Sequence, residues 1–119
     1  MPGRPRDPRM YLDDIIAYGR DALEIAAEGE LNFRESIKLQ YAITHCIEVI
    51  GEAVKHIPSE IREMQPQIPW KRIAGMRDWI AHGYFDIDLD QVWKVIQEDL
   101  QPLLDAAEKM LLELDKAEP

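Results

Sequence analysis

Apolar residues recur at three- and four-residue steps along most of the chain, and this spacing places side chains on one face of an α-helix. The clearest stripe lies near the C-terminus and consists of Leu89, Val92, Trp93, Ile96, Leu100, Leu103, Leu104, Ala107, Leu111 and Leu114. No segment alternates apolar and polar residues with a period of two, so we expect no β-sheet. The pattern predicts an all-α fold.

Stop and capping residues delimit the first two helices. Residues 9–28 carry one apolar stripe, and Gly29 is a fitting helix stop. Asn32 with Glu35 resembles a capping box and predicts the start of a second helix over residues 33–56. This second helix is apolar on two sides, which indicates a central position or an interface with another subunit.

The remaining segments are also predicted to be helical. Ser59 can cap a short helix that runs to Gln65, and the next helix follows Pro69 and ends at Gly83. Asp88 with Gln91 resembles another capping box, and we expect Pro102 to bend or split the last helix. Four long helices and a short one predict an antiparallel four-to-five-helix bundle.

Length and composition are those of a single globular domain. The chain has 119 residues, of which 46% are hydrophobic and 31% charged. We predict one domain over residues 9–116, preceded by a flexible Pro- and Arg-rich tail over residues 1–8. There is no signal-peptide pattern and no apolar run of about 20 residues, which predicts a cytoplasmic protein without a membrane span. The single Cys46 cannot form an internal disulfide and is expected to be a small buried side chain.

The charge is distributed unevenly. The net charge of −9 argues against general affinity for nucleic acids, since phosphate contacts need Lys and Arg. Residues 55–77, however, carry five basic side chains against two acidic ones, a net charge of +3. A local positive site on an acidic body can bind a short anionic segment in a salt-sensitive manner.

This basic segment leads into a run that contains Arg77, Asp78, His82 and Tyr84. An arginine holds a phosphate as a bidentate cation, and a histidine changes its proton state near neutral pH. Together they suggest phosphodiester chemistry without a metal. Arg77 and His82 are five residues apart, which on a regular helix separates them by about 140° around the axis. They can converge if the helix unwinds or bulges before Gly83, or if a second subunit supplies the mate across a two-fold axis.

Other interpretations of these residue types remain open. Arg77 can form a surface ion pair, and His82 can stabilise a helix C-terminus through its charge. His45 and His56 lie on nearly one side of the second helix, but no further ligand spacing completes a metal site. Glu48 and Glu52, one helical turn apart, can form a solvated face or line a cleft between subunits.

The chain resembles the HepT-like branch of the HEPN superfamily over about residues 6 to 105. The N-terminal half carries the resemblance in Arg6-Asp7, Tyr11-Leu12-x-Asp14-Ile15 and Ile50-Gly51-Glu52-Ala53. The C-terminal half carries it in Ile68-Pro69-Trp70, Gly75-Met76-Arg77-Asp78, His82-Gly83-Tyr84-Phe85, Val92-Trp93 and Asp99-Leu100 with Pro102. The combination is specific, although each piece alone is not.

The resemblance implies a homodimeric bundle in which the Arg and His of each motif meet in a cleft at the interface. It further implies an endoribonuclease toxin that needs no metal or cofactor and is neutralised by a minimal nucleotidyltransferase, the antitoxin, which transfers AMP to a tyrosine. Residue by residue, Arg77 and His82 are then catalytic, Asp78 is the polar residue after the arginine, and Tyr84 is the AMP acceptor. Asn is common at the position of Asp78, and an acid there adds negative charge beside the phosphate.

Two other functions fit the same residues. The chain can be a non-catalytic nucleotide- or substrate-binding subunit of a two-component nucleotidyltransferase, which the acidic surface and Asp78 favour. It can also be a helical dimerisation scaffold, which the doubly apolar second helix favours.

Overall fold

Helices account for most of the architecture. The computed structural model describes residues 7–82 and 86–117. Within these residues the elements, in chain order, are α1 (Pro8–Ala26), α2 (Glu30–Glu35), α3 (Ile37–Lys55), α4 (Ser59–Arg62), α5 (Trp70–Ala74), α6 (Met76–Ile80), β1 (Ala81–His82), β2 (Asp86–Ile87), α7 (Leu89–Glu98) and α8 (Leu100–Ala117). The predicted all-α fold is confirmed, and the two short strands are an addition to it. Residues 1–6 of the predicted N-terminal tail lie outside the described residues.

The start of α3 differs from the predicted one. Asn32 does not cap a helix but lies inside α2, where its side-chain amide donates to the carbonyl oxygen of Glu28 at 2.6 Å. Ser36 ends α2 and begins α3, because its hydroxyl accepts a hydrogen bond from the backbone N–H of Leu39 at 3.2 Å. The predicted capping box at Asn32 and Glu35 is therefore wrong, and Ser36, four residues after Asn32, is the cap of α3.

The predicted helix from residue 70 to Gly83 is broken twice. Gly75 ends α5, and α6 follows at once and ends at Ile80. The chain then forms a two-residue antiparallel pair in which Ala81 lies opposite Ile87 and His82 lies opposite Asp86. The expectation of no sheet is wrong here, because a strand of two residues is too short to show alternation in the sequence.

The last predicted helix is split as expected. Asp88 caps α7 by accepting from the backbone N–H of Gln91 at 3.1 Å. A turn at Asp99 separates α7 from α8, and Pro102 lies in the first turn of α8. A proline is tolerated there because the first backbone N–H groups of a helix have no partner within it.

The core is formed around α3, which packs against α1, α2, α5 and α6, while α1 also packs against α8. Ile43, Ile47 and Ile50 of α3 are fully buried. Gly19 allows α1 and α8 to approach closely, since a Cβ at this position would lie 2.5 Å from Cδ2 of Leu104. Cys46 is buried as predicted. In the described ranges, no helix combines the length and the apolar character needed to cross a bilayer.

Candidate functional site

A cleft of about 400 Å³ lies between α3 and the segment formed by α5 and α6. Most of its lining side chains are polar or charged, and α3 supplies all but two of the residues. The lining consists of His45, Glu48, Val49, Gly51, Glu52, Lys55, Ala74 and Arg77. The lining of the cleft thus comes mostly from α3, and α6 contributes the cation Arg77.

The polar residues of the cleft belong to one face of α3. At 100° per residue, the positions His45, Glu48, Glu52 and Lys55 fall within a sector of about 80°. Ile37 and Tyr41 fall in the same sector, closer to the start of the helix. Both are exposed, each with 61% of its surface accessible. One face of α3 therefore carries an exposed apolar patch, Ile37 and Tyr41, near its start and the polar residues of the cleft further along.

Gly51 allows the close approach of α5 and α3 at the cleft. A Cβ at this position would lie 3.3 Å from the carbonyl oxygen of Ile73 and 3.6 Å from that of Ala74. The missing side chain therefore allows the last turn of α5 to rest on α3. Because α6 begins two residues after Ala74, Arg77 is held above the polar face of α3.

Arg77 is exposed, and it makes no hydrogen bond or ion pair within the ranges 7–82 and 86–117. The surface ion pair that the sequence left open for Arg77 is not formed with any described residue. Two nearby arginines behave differently. Arg62 donates to the carbonyl oxygens of Val54 at 2.7 Å and Ile57 at 2.9 Å, and Arg72 pairs with Asp99. Arg77 is therefore available for an external anion.

On a regular helix the spacing of Arg77 and His82 would point their side chains in different directions, but α6 ends between the two residues. Arg77 lies within α6, whereas the backbone of His82 belongs to β1. The two residues do not share a regular helix, so the separation of about 140° does not apply. The side chain of His82 and the whole of Tyr84 lie outside the described residues. Asp78 is exposed on α6 beside Arg77.

The two carboxylates of the cleft differ in their surroundings. Glu52 lies 3.7 Å from Nζ of Lys55 and 3.4 Å from Nε2 of His56. The ring of His56 stacks on Tyr11 with 4.9 Å between the centroids. Glu48 is partly buried and has no hydrogen bond or ion pair in the described part of the chain. From the sequence, Glu48 and Glu52 could form a solvated face or line a cleft between subunits. In the structure both line the cleft within the chain to which Arg77 also belongs.

A second cavity of about 610 Å³ separates α1 from α3 and is lined by Tyr18, Asp21, Glu24, Ile25, Glu28, Ala42, His45 and Cys46. Burial, and then the nearby charge of Asp21, raises the pKa of the Cys46 thiol. A raised pKa disfavours the thiolate, which is the nucleophilic form. No group of three or more His, Cys, Asp or Glu side chains among the residues described could hold a metal ion.

Known proteins resemble this chain over most of its length. A family model described as "Ribonuclease HepT-like" matches residues 15–110. A protein of Methanocaldococcus jannaschii is 38% identical over 93% of this chain and 97% of its own length. Its name gives RNase as a provisional assignment. A protein of Thermococcus cleftensis, named as a probable ribonuclease HepT, is 36% identical over 88% of this chain and 96% of its own length. No solved structure matches the chain significantly.

The contrast between Arg72 and Arg77 gives a testable prediction about stability. Arg72→Ala should lower the free energy of unfolding by about 1–3 kcal/mol, because the Asp99 side chain, only 11% exposed, would lose its partner. Arg77→Ala should change it by less than about 0.5 kcal/mol, since it removes no hydrogen bond or ion pair to the residues that the structure describes. Urea denaturation followed by circular dichroism measures both. An equal loss in the two variants would mean that Arg77 has a structural role.

Proposed function

This chain belongs to the ribonuclease HepT-like family, and we propose that it is a metal-independent endoribonuclease toxin with Arg77 and His82 as its catalytic residues. The observation that carries the proposal is Arg77, a cation with no hydrogen bond or ion pair to the described residues, which lines a cleft of about 400 Å³. Its neighbours Arg62 and Arg72 are engaged within the protein. A guanidinium kept free in this way can grip the phosphate of a bound RNA.

The reaction that suits these groups is cleavage by an internal nucleophile. The ribose 2′-hydroxyl loses its proton, its oxygen bonds to the adjacent phosphorus, and the bond from phosphorus to the 5′-oxygen breaks. The leaving oxygen takes up a proton, so the products end in a 2′,3′-cyclic phosphate and a 5′-hydroxyl. His82 serves one of the two proton transfers, and such a group contributes about 10²–10⁴-fold in rate.

Arg77 stabilises the charge that develops on the phosphate during this reaction. A fixed cation beside the non-bridging oxygens favours the transition state over the ground state. Asp78 and Tyr84 have supporting roles in the proposal. Asp78 orients Arg77 or His82, and Tyr84 donates a hydrogen bond to the phosphate. Only RNA offers the 2′-hydroxyl, so DNA is not a substrate.

A partner nucleotidyltransferase is the proposed antitoxin. It transfers AMP to the hydroxyl of Tyr84, two residues after His82. An AMP group there adds a bulky anion at the place where the RNA phosphate must bind. Steric exclusion and charge repulsion then both oppose binding of the substrate. RNA and this partner meet in the cytoplasm, where we place the activity.

A second copy of the chain is the proposed partner of the exposed apolar patch on α3. Ile37 and Tyr41 share a helix face with the cleft-lining residues, so a protomer docked on the patch would border the cleft. The chain is therefore expected to sediment as a dimer at micromolar concentration. Tyr41→Asp should shift it toward the monomer, because an unpaired charge would be buried in the interface. A wild-type monomer under these conditions would contradict a dimeric site.

Cleavage of RNA tests the catalytic proposal. The purified protein, incubated with mRNA or tRNA in EDTA, should release fragments with 2′,3′-cyclic phosphate ends. Arg77→Ala and His82→Ala should each lower the rate by about 10²-fold or more, because each removes a group that acts in the transition state. Product ends are identified by mass spectrometry. Both variants should keep the wild-type thermal melting curve, which separates loss of chemistry from loss of folding.

An inert wild type would contradict the catalytic proposal. If such a protein bound nucleotides by calorimetry and co-purified with a nucleotidyltransferase without arresting growth, the non-catalytic subunit would be the correct assignment. Asp78, an exposed acid next to Arg77, favours that alternative.

Modification of Tyr84 tests the proposed regulation. Expression beside the neighbouring nucleotidyltransferase gene should raise the intact mass in steps of one AMP and abolish RNA cleavage. Tyr84→Phe should show no mass increase, since the acceptor oxygen is missing, and its own rate of cleavage, lowered by loss of the hydrogen bond to the phosphate, should be the same with and without the partner. Peptide mapping locates the added mass. Modification of another tyrosine, such as the exposed Tyr41, would refute the assignment of Tyr84.

A further inference from the structure

We propose that Glu48 is the general base of the reaction and that His82 is the general acid. The inference rests on the proposed function, which left open the proton transfer served by His82. It starts from the cleft, where Glu48 and Arg77 line the same surface. A phosphate held by Arg77 would bring the ribose of the same nucleotide toward the polar face of α3.

Glu48 is the carboxylate of the cleft that is free to accept a proton. It makes no hydrogen bond and no ion pair across the part of the chain that is described. It is partly buried and lines the cleft. A carboxylate has two acceptor oxygens and no proton of its own, which is the state that a base requires.

The other groups of the cleft are less suited to this role. Glu52 is shared by Lys55 and His56 and is 63% exposed. The ring of His45 lies edge-on to Tyr18 with 6.0 Å between the centroids, and His45 also lines the cavity between α1 and α3. Lys55 carries a positive charge and has no lone pair to offer.

The proton balance is complete with these two residues. A carboxylate oxygen of Glu48 takes the proton of the 2′-hydroxyl while the 2′-oxygen bonds to phosphorus. His82, in its protonated form, gives a proton to the departing 5′-oxygen. Glu48 ends protonated and His82 ends neutral, and exchange with solvent restores both. Arg77 stays charged throughout and binds the non-bridging oxygens.

A substrate with a sulfur in place of the scissile 5′-oxygen separates the two roles. A thiolate leaves without protonation, so a variant that lacks the acid is rescued and a variant that lacks the base is not. On the normal oligonucleotide, Glu48→Gln and His82→Ala should both be slower than wild type by about 10²–10⁴-fold. On the sulfur substrate, His82→Ala should regain most of the wild-type rate, whereas Glu48→Gln should remain slow.

The matched variant is Glu52→Gln, which removes the same charge from the same cleft one helical turn away. We expect it to change the rate less than tenfold, through charge alone. Binding of an uncleavable 2′-deoxy oligonucleotide should be similar in wild type and Glu48→Gln, because the effect lies in the chemical step. Thermal melting controls for folding, and the polar exchange on a partly exposed helix face leaves the core intact.

Three results would overturn the assignment of Glu48 alone, given an active wild type. They are wild-type activity of Glu48→Gln, rescue of Glu48→Gln by the sulfur substrate, and an equal loss in Glu52→Gln. An inert wild type would overturn the proposed function and, with it, this assignment.

Discussion

The packing of α3 against its neighbours is the contact on which the rest of the structure depends. Ile43, Ile47 and Ile50 of this helix are fully buried, and the helix packs against α1, α2, α5 and α6. Gly51 then lets the backbone of α5 come within van der Waals distance, which no larger residue would allow without a shift. Burial of apolar side chains supplies most of the stabilisation. The same contact fixes where α6 begins and hence where Arg77 lies.

The fold could be predicted from the sequence wherever the apolar periodicity was long. The stripes of α1, α3 and α8 are visible because each of these helices has at least 18 residues. The short elements could not be predicted in the same way. Gly75 divides two helices of five residues each, and the paired strands have two residues each, so no periodicity can develop. The start of α3 was also missed, because the capping-box pattern at Asn32 and Glu35 lies within the short helix α2 and Ser36 caps α3 instead.

The candidate site was predictable in part. Arg77 stood out through its chemistry, and the structure shows how it differs from Arg62, which donates to backbone carbonyl oxygens at the end of α3, and from Arg72, which pairs with Asp99 just before α8. The place of Glu48 could not be derived, since the α3 pattern fits a solvated face equally well. It takes the approach of α5 at Gly51 to turn that face into one wall of a cleft. The spacing of His45, Glu48 and Glu52 does indicate one polar face of a helix. Whether that face lines a cleft depends on the contact with α5, which the spacing does not predict.

The brevity of α6 has a consequence for motion. A helix of five residues is unstable by itself, so it persists because Met76 and Ile80 are inserted into the core. Segments with few such anchors open before the rest of a domain does, and their amides exchange with solvent earlier. The guanidinium therefore lies on one of the more readily detached parts of the molecule, while the opposing glutamates lie on its most firmly held helix. A bound substrate would then contact α6, which can move, on one side of the cleft and α3, which stays in place, on the other.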